Sequence, residues 1–304
     1  MFDSIIVLGA TATGKTGLSI KLAKKLNAEI INADSMYVYK YFDIGTAKPT
    51  LEEMDGVKHH LIGYIDPKED CSVASFREDA RNAIAKLKEQ NILPIIVGGT
   101  GFYIDSLIKP YTYGNVCRDD NLRQKLKREL DEFGSDYLYN KLKNIDAIAA
   151  NKLHPNDTKR VMRALEIAML SNTKKSNINN NSDVILKCPL IIGLNIDRDI
   201  LYKKINNRVD VMIENGLIEE VKSLYNQGYN VNNCNAMKGI GYKEILEYLD
   251  NKCTLDYAID KIKQHTRNYA KRQLTWFKRN DNIIWMNPAD KDIVDNILKI
   301  YYGN

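Results

Sequence analysis

The chain has 304 residues, 44% of them apolar and 27% charged, enough for one large or two modest domains with a core of ordinary depth. No run approaches the roughly 18 consecutive apolar residues that span a bilayer, and the N-terminus enters Asp3 and a strand without a basic leader or cleavage site, so a cytoplasmic protein with no membrane partner is expected. A net charge of +5 is mild for a nucleic-acid binder, and five scattered cysteines without a C-x-x-C pair, together with four histidines of which only His59 and His60 adjoin, argue against a disulfide framework and against structural zinc.

Short apolar runs alternate with amphipathic helical patterns through the first third, which predicts an α/β domain on a mainly parallel sheet. Strands are expected at residues 4–8, 29–32, 61–65 and 92–97. Directly after the first, residues 9–16 read G-A-T-A-T-G-K-T, a full G-x-x-x-x-G-K-[ST] match that opens a helical pattern at Lys15. Such a loop gathers backbone N–H groups around a polyphosphate, the Lys15 ammonium neutralises the outer oxygens, and the Thr16 hydroxyl is placed to hold Mg²⁺. The motif leaves open whether that polyphosphate belongs to a nucleotide. Between the third and fourth strands Phe76, Ala80, Ala83, Ile84 and Leu87 recur at helical spacing, with Ser72 and Ser75 as candidate caps. Pro94 belongs at an early or irregular position of its strand. The Gly98-Gly99-Thr100-Gly101 turn follows at the carboxyl end, the edge where open α/β sheets bind ligands, so Asp34 and Thr100 are both expected to face the phosphate loop.

From about residue 119 to 170 the texture turns polar and helix-forming, with Leu122, Leu126 and Leu130 every four residues and a second helix after Pro155-Asn156-Asp157 carrying Val161, Ala164, Leu165 and Ala168 on one face. Residues 171–183, rich in Asn, Ser and Lys, read as a mobile loop. Strand pattern resumes at 190–196, helices follow, and one more short strand is expected at 283–285. The fold class is therefore a P-loop NTPase-like parallel sheet flanked by helices, built from residues 1–115 and 187–304, with a helical insertion domain at 116–186. Lys261, Lys263, Arg267, Lys271, Arg272, Lys278 and Arg279 stand between 261 and 280 with no Asp or Glu among them, interleaved with Tyr269, Trp276 and Phe277. That stripe reads either as a solvated helix face or as a surface that neutralises backbone phosphates and stacks bases; Tyr269 and Trp276, at helical spacing, read as core residues first.

The default enzyme for a phosphate-binding loop is a nucleoside or small-molecule kinase, which usually closes a hydrophobic strand with an acidic residue to organise Mg²⁺. Here the 92–97 strand ends in Gly-Gly-Thr, leaving Asp197 as the alternative. The run Asn32-Ala33-Asp34-Ser35 instead places a carboxylate where a general base would stand for a weak nucleophile.

Taken in order, the phosphate loop, A-D-S-M-Y-V-Y-K with D-I-G-T-A-K-P (33–49), H-H-L-I, F-R-E-D-A (76–80), I-V-G-G-T-G-F-Y (96–103), H-P-N-D (154–157), R-A-L-E (163–166), G-I-G-Y-K-E (239–244) and R-N-Y-A-K-R-Q-L-T-W-F (267–277) resemble the tRNA dimethylallyltransferase family from residue 4 to about 286. The resemblance implies transfer of a dimethylallyl group from its pyrophosphate ester, dimethylallyl pyrophosphate, to the exocyclic N6 amine of the adenosine 3′ to the anticodon, with the loop taking pyrophosphate rather than ATP. On it, Gly9, Ala10, Thr11, Ala12, Thr13, Gly14, Lys15, Thr16 and Arg208 are expected to bind the pyrophosphate, with Mg²⁺ on Thr16. Asp34 matches the catalytic carboxylate and Thr100 the Thr that helps place the amine. The same resemblance assigns tRNA contacts to Asp34, Ser35, Met36 and Tyr37, to Arg123, Thr158, Lys159, Arg160, Val161 and Met162 in the insertion, and to Lys271 and Arg272. The target base would be extruded into the pocket, the partner being a tRNA anticodon stem-loop and the protein a monomer. Tyr37 stands where the family usually has Gln, Ala10 where it often has Pro, and residues 171–183 have no counterpart. An ATP-dependent kinase and a non-catalytic RNA-binding protein remain the alternatives at this point.

Overall fold

The computed structural model describes residues 2–110, 119–170 and 184–303, which fall into two compact units, Met1–Ile108 with Ile185–Asn304, and Lys109–Val184. The strands are β1 (Ser4–Gly9), β2 (Glu29–Asn32), β3 (His59–His60), β4 (Pro94–Gly98), β5 (Pro189–Leu194) and β6 (Ile284–Met286). The helices are α1 (Lys15–Leu26), α2 (Leu51–Met54), α3 (Val73–Glu89), α4 (Gly101–Ile108), α5 (Asp120–Ile145), α6 (Ala147–Ala150), α7 (Thr158–Leu170), α8 (Arg198–Glu214), α9 (Leu217–Asn226), α10 (Tyr242–Leu249), α11 (Leu255–Phe277) and α12 (Ile293–Tyr302).

All strands of the first unit pair in parallel, in the order β3-β2-β4-β1-β5-β6. The β1 sequence SIIVLG is buried throughout, as a strand covered on both faces requires. Alternation then sorts its side chains: Ile6 and Leu8 join Ile31, Ile96 and Ile191 against Phe76, Ile84, Leu107 and Phe277, while Ile5 and Val7 join Ile30, Ile95 and Ile192 against Leu18, Leu22 and Ile297. A third cluster packs Val38 and Phe42 with Val209, Leu217, Tyr242 and Ile262. The parallel sheet flanked by helices is the architecture that the alternating pattern leads one to expect.

Two local details follow the chain's chemistry. Ser72 caps α3 by accepting from Ser75 N at 3.0 Å, and Ser75 returns the bond as the reciprocal partner of a capping box. Pro94 is the first residue of β4, where its missing N–H costs no ladder bond. The third strand differs from expectation. It is His59–His60, and residues 61–65 add only an isolated parallel bridge between Tyr39 and Ile65. Leu61 and Gly63 take left-handed φ values of 60° and 57°, which breaks the ladder, and Asn32 Nδ2 draws the Leu61 carbonyl to 3.0 Å.

In the second unit α5, α6 and α7 bury Leu126, Leu138, Leu142, Ala150, Val161, Ala164 and Leu165 around one core. Gly134 kinks α5 at φ 82°, ψ 176°. Glu166 on α7 is 2% exposed and is gripped by Arg123 and by Arg163, the latter at 2.9 Å. Burial would raise its pKa, but the two guanidiniums hold it below the usual carboxylate range. Residues 171–183, expected to be a loop, lie outside the described residues. Among the described residues no helix is long and apolar enough to cross a membrane.

Candidate active site

In an all-parallel sheet the loops that follow the strands leave from one edge. Because β4 lies between β1 and β2, the loop after β1, the Ala33–Tyr37 segment after β2 and the turn after β4 are neighbours there. Gly9 ends β1 at φ 151°, and a Cβ on it would stand 2.8 Å from the Leu194 carbonyl of β5. The loop then turns through Ala12 at φ 62° and Gly14 at φ 88°, and Gly14 supplies no side-chain cap to α1. The first N–H groups of α1 are thus presented with their partial positive charge at the loop.

Within the loop, Lys15 Nζ donates to the Ala10 carbonyl at 2.7 Å and Thr13 Oγ1 to the same carbonyl at 2.8 Å. Ala10 and Thr13 are buried, whereas Thr11, Ala12 and Thr16 are partly exposed and Gly14 is exposed. Burial of the ammonium pulls the Lys15 pKa down to about 8; Asp34 opposes that shift and Arg208 adds to it. Lys15, Asp34 and Arg208, from three separate elements, therefore share one electrostatic neighbourhood.

Asp34 is fixed by its own turn. Its N–H donates to Asn32 Oδ1 at 2.9 Å and its Oδ1 accepts from Met36 N at 2.9 Å. Thr100 joins this segment to the turn after β4: its N–H donates to the Ala33 carbonyl at 3.2 Å, and its Oγ1 accepts from Ser35 N at 3.0 Å. That closeness requires glycine at 98, where a Cβ would collide with the Ala33 backbone. Tyr37 donates to the Ala47 carbonyl at 2.7 Å, and Arg208 Nη2 of α8 reaches the same carbonyl at 3.5 Å. Burial pushes the Tyr37 phenol up to about 12, with Arg208 working against the shift and Asp34 with it.

The remaining expected residues are distributed as follows. Lys271 and Arg272 are exposed on α11, with Arg272 5.7 Å from the Tyr269 ring centre. The rest of the basic stripe is partly engaged within the protein: Lys263 pairs with Asp210 at 2.6 Å and Arg267 donates to Asn206 at 2.7 Å. In the second unit Lys159 and Arg160 are exposed, Arg160 lying 3.3 Å from Asp157, and Thr158 and Met162 are partly buried. Val161 is fully buried in that unit's core. The expectation of a tRNA contact by its side chain is therefore corrected: the helical phase of α7 turns it inward. Thr11 is partly exposed, and its N–H donates to Gln273 Oε1 at 2.9 Å. Asp197, the alternative Mg²⁺ carboxylate, is the N-cap of α8 and accepts from Asp199 N at 2.8 Å and Ile200 N at 3.3 Å.

Three groups escaped the sequence reading. Gln273 was one, although its place in the buried phase Ile262, Ala270, Phe277 of α11 marks it as an interior polar residue. Tyr269, read as core, has its pKa raised by burial and then by Asp34, while Thr100, Arg272 and Gln273 nearby work against the shift. Glu220 of α9 takes the N–H groups of Asp43, Ile44 and Gly45 at 3.1, 2.7 and 3.0 Å and the Tyr242 hydroxyl at 2.7 Å. It thereby shapes the loop whose Ala47 carbonyl receives Tyr37 and Arg208.

A glycine-rich loop, a carboxylate-bearing segment and a Gly-Gly-Thr-Gly turn stand together at the carboxyl edge of a parallel sheet flanked by helices, the edge at which proteins of this α/β class bind their ligands. The IPP transferase family model matches residues 37–280. The tRNA dimethylallyltransferase of Alkaliphilus oremlandii is 49% identical, over 99% of this chain and 97% of that protein, and that of Acetivibrio thermocellus is 46% identical over 98% and 96%. Among solved structures, the tRNA isopentenylpyrophosphate transferase of Bacillus halodurans is 43% identical, covers 99% of this chain and 95% of its own, and superposes with a TM-score of 0.72. A eukaryotic dimethylallyltransferase acting on tRNA is 33% identical, with a TM-score of 0.84 over 99% of this chain and 78% of that one. The chain belongs to the IPP transferase family, the tRNA dimethylallyltransferases.

Proposed function

We propose that this protein is a tRNA dimethylallyltransferase that moves the five-carbon group of dimethylallyl pyrophosphate to the N6 amine of the adenosine 3′ to the anticodon, releasing pyrophosphate. The observation that carries the reading is the gathering of Lys15, Asp34 and Arg208 around the loop after β1. As the C–O bond of the donor breaks, negative charge grows on the pyrophosphate. Lys15, Arg208 and the N–H groups at the start of α1 are fixed donors aimed at that charge, and need no reorganisation when it forms. The loop, a phosphate-binding loop in this reading, takes the leaving group and requires no ATP.

The N6 amine is a weak nucleophile because its lone pair is delocalised into the ring. Asp34 Oδ1 is occupied by Met36 N, so Oδ2 is the oxygen assigned to take the proton as N6 bonds to the donor carbon. Thr100, bonded to Ser35 N, places the amine beside it. Among the described residues no group of three His, Cys, Asp or Glu side chains stands ready to hold a metal. This suits Mg²⁺ bound chiefly through substrate phosphates and water, with the Thr16 hydroxyl as the protein's ligand. When bound, Mg²⁺ supplies neutralisation of the leaving pyrophosphate.

The unit Lys109–Val184 is assigned to the anticodon arm, through Arg123, Thr158, Lys159, Arg160 and Met162. Lys271 and Arg272 are assigned to tRNA phosphates. The double variant Lys271→Ala with Arg272→Ala is expected to weaken tRNA binding and flatten the slope of log K against log salt by up to about 2, one for each lost phosphate contact; an unchanged slope would make the stripe structural. The function itself is tested by incubating the protein with Mg²⁺, labelled dimethylallyl pyrophosphate and tRNA lacking the modification, beside an ATP-hydrolysis control. Label in the tRNA with ATP intact is expected. ATP consumption without labelled tRNA would return the chain to the kinases.

A further inference from the structure

Gln273 is 5% exposed and lies beneath the candidate site on α11. Its Oε1 accepts from Thr11 N at 2.9 Å, and its Nε2 donates to the Gly99 carbonyl at 2.9 Å. The first partner belongs to the loop after β1 and the second to the turn after β4. No residue that reads as catalytic makes either bond. The fit is close: a Cβ at Gly99 would collide with Gln273 Nε2, and one at Gly101 would collide with the Trp276 indole one turn further along the same helix. The glycines of this turn thus admit α11, and Gln273 uses the approach to tie two loops that share no backbone hydrogen bond with each other.

We infer that Gln273 is a positioning residue, locking the pyrophosphate loop to the Thr100 turn so that the leaving group and the attacking amine are held in one register. This rests on the reading of the loop as a pyrophosphate site. A primary amide satisfies both bonds from one side chain at any pH, because one end accepts and the other donates without titrating. Methionine fills similar space and does neither. Glutamate accepts from Thr11 N in either ionisation state, but donates to the Gly99 carbonyl only when protonated. Lys271 and Arg272 precede Gln273 on the same helix and are exposed, so a role in the loops separates experimentally from a role in holding tRNA.

The test measures binding of inorganic pyrophosphate with Mg²⁺ by calorimetry, together with kcat and the KM for tRNA, in the full-length protein. Gln273→Met is expected to bind pyrophosphate roughly tenfold more weakly, as loss of the loop's buried acceptor implies. Its kcat should fall roughly 10- to 100-fold through misplacement of reacting groups, with KM for tRNA within about twofold of the parent. The pyrophosphate affinity of Gln273→Glu, taken as a ratio to the parent so that titration of Lys15 cancels, is expected to fall as pH rises and the new carboxyl ionises against the Gly99 carbonyl. If Gln273→Met does not fold, this pH profile decides. The inference is overturned by a folded Gln273→Met equal to the parent in pyrophosphate affinity and kcat, by a selective loss of tRNA affinity, or by a Gln273→Glu ratio flat with pH. Failure of the parent to bind pyrophosphate or transfer the prenyl group would instead remove the underlying reading, and this inference with it.

Discussion

Asp34→Ala should lower kcat by roughly 10²- to 10⁴-fold, the usual contribution of a positioned general base, while KM for tRNA changes little. The reasoning separates two functions of the carboxylate. Oδ1 accepts from Met36 N at 2.9 Å and so helps hold the turn after β2; proton removal matters only as the N–C bond forms. Asp34→Asn provides the control, because its side-chain oxygen can still accept from Met36 N but the group cannot take a proton. Both variants should therefore lose turnover together and retain tRNA binding, read by filter binding beside single-turnover kinetics. An asparagine variant with near-parental kcat would show that the turn, and not the proton, is what Asp34 contributes.

Lys15→Met should lower kcat/KM by roughly 10²- to 10³-fold, comparable to deleting one fixed donor to a developing anion, and yet leave the ligand-free protein at least as heat-stable as its parent. The sign follows from the pKa. Burial takes the folded-state value down to about 8 from 10.5, so between those two pH values the unfolded chain carries a proton that the folded one has shed, and stability rises with pH across that window. Below about pH 8 the enclosed charge is a standing cost that methionine removes. Pyrophosphate reverses the balance by giving the ammonium a partner: its binding should take up a proton above pH 8, seen as a buffer-dependent heat, and should raise the parental Tm but not that of Lys15→Met. A ligand-free variant that melts well below the parent would mean that the bond to the Ala10 carbonyl outweighs the cost of the charge.

The parts of this fold that were legible in the amino-acid sequence are those with local causes. Isoleucine runs at 5–6, 30–31 and 95–96 mark strands buried on both faces, and parallel strands oblige the loops after them to share an edge, which is why Asp34, Thr100 and the glycine-rich loop were expected together. The third strand was displaced because no propensity announces the left-handed φ of Leu61. Val161 was misplaced because a motif was carried over as a contiguous run, while α7 turns only some of its positions outward. Gln273 and Glu220 were missed for a different reason. Their partners lie 262 residues away for Thr11 and 176 for Ile44, and contacts of such separation leave no period to read.

The chain leaves the sheet-bearing unit after Ile108 and rejoins it at Ile185, and both Ile185 N and Leu186 N bond to the Leu107 carbonyl, at 3.1 and 3.0 Å. The point of departure and the point of return are stitched to a single oxygen. For the sheet-bearing unit, everything between is a closed excursion whose length enters only through a slowly growing loop entropy, about 0.6 kcal/mol for each doubling. Lengthening, trimming or exchanging the helical excursion therefore costs the sheet-bearing unit little, and on the proposed function what is recognised and what is done to it would be able to change separately within one polypeptide.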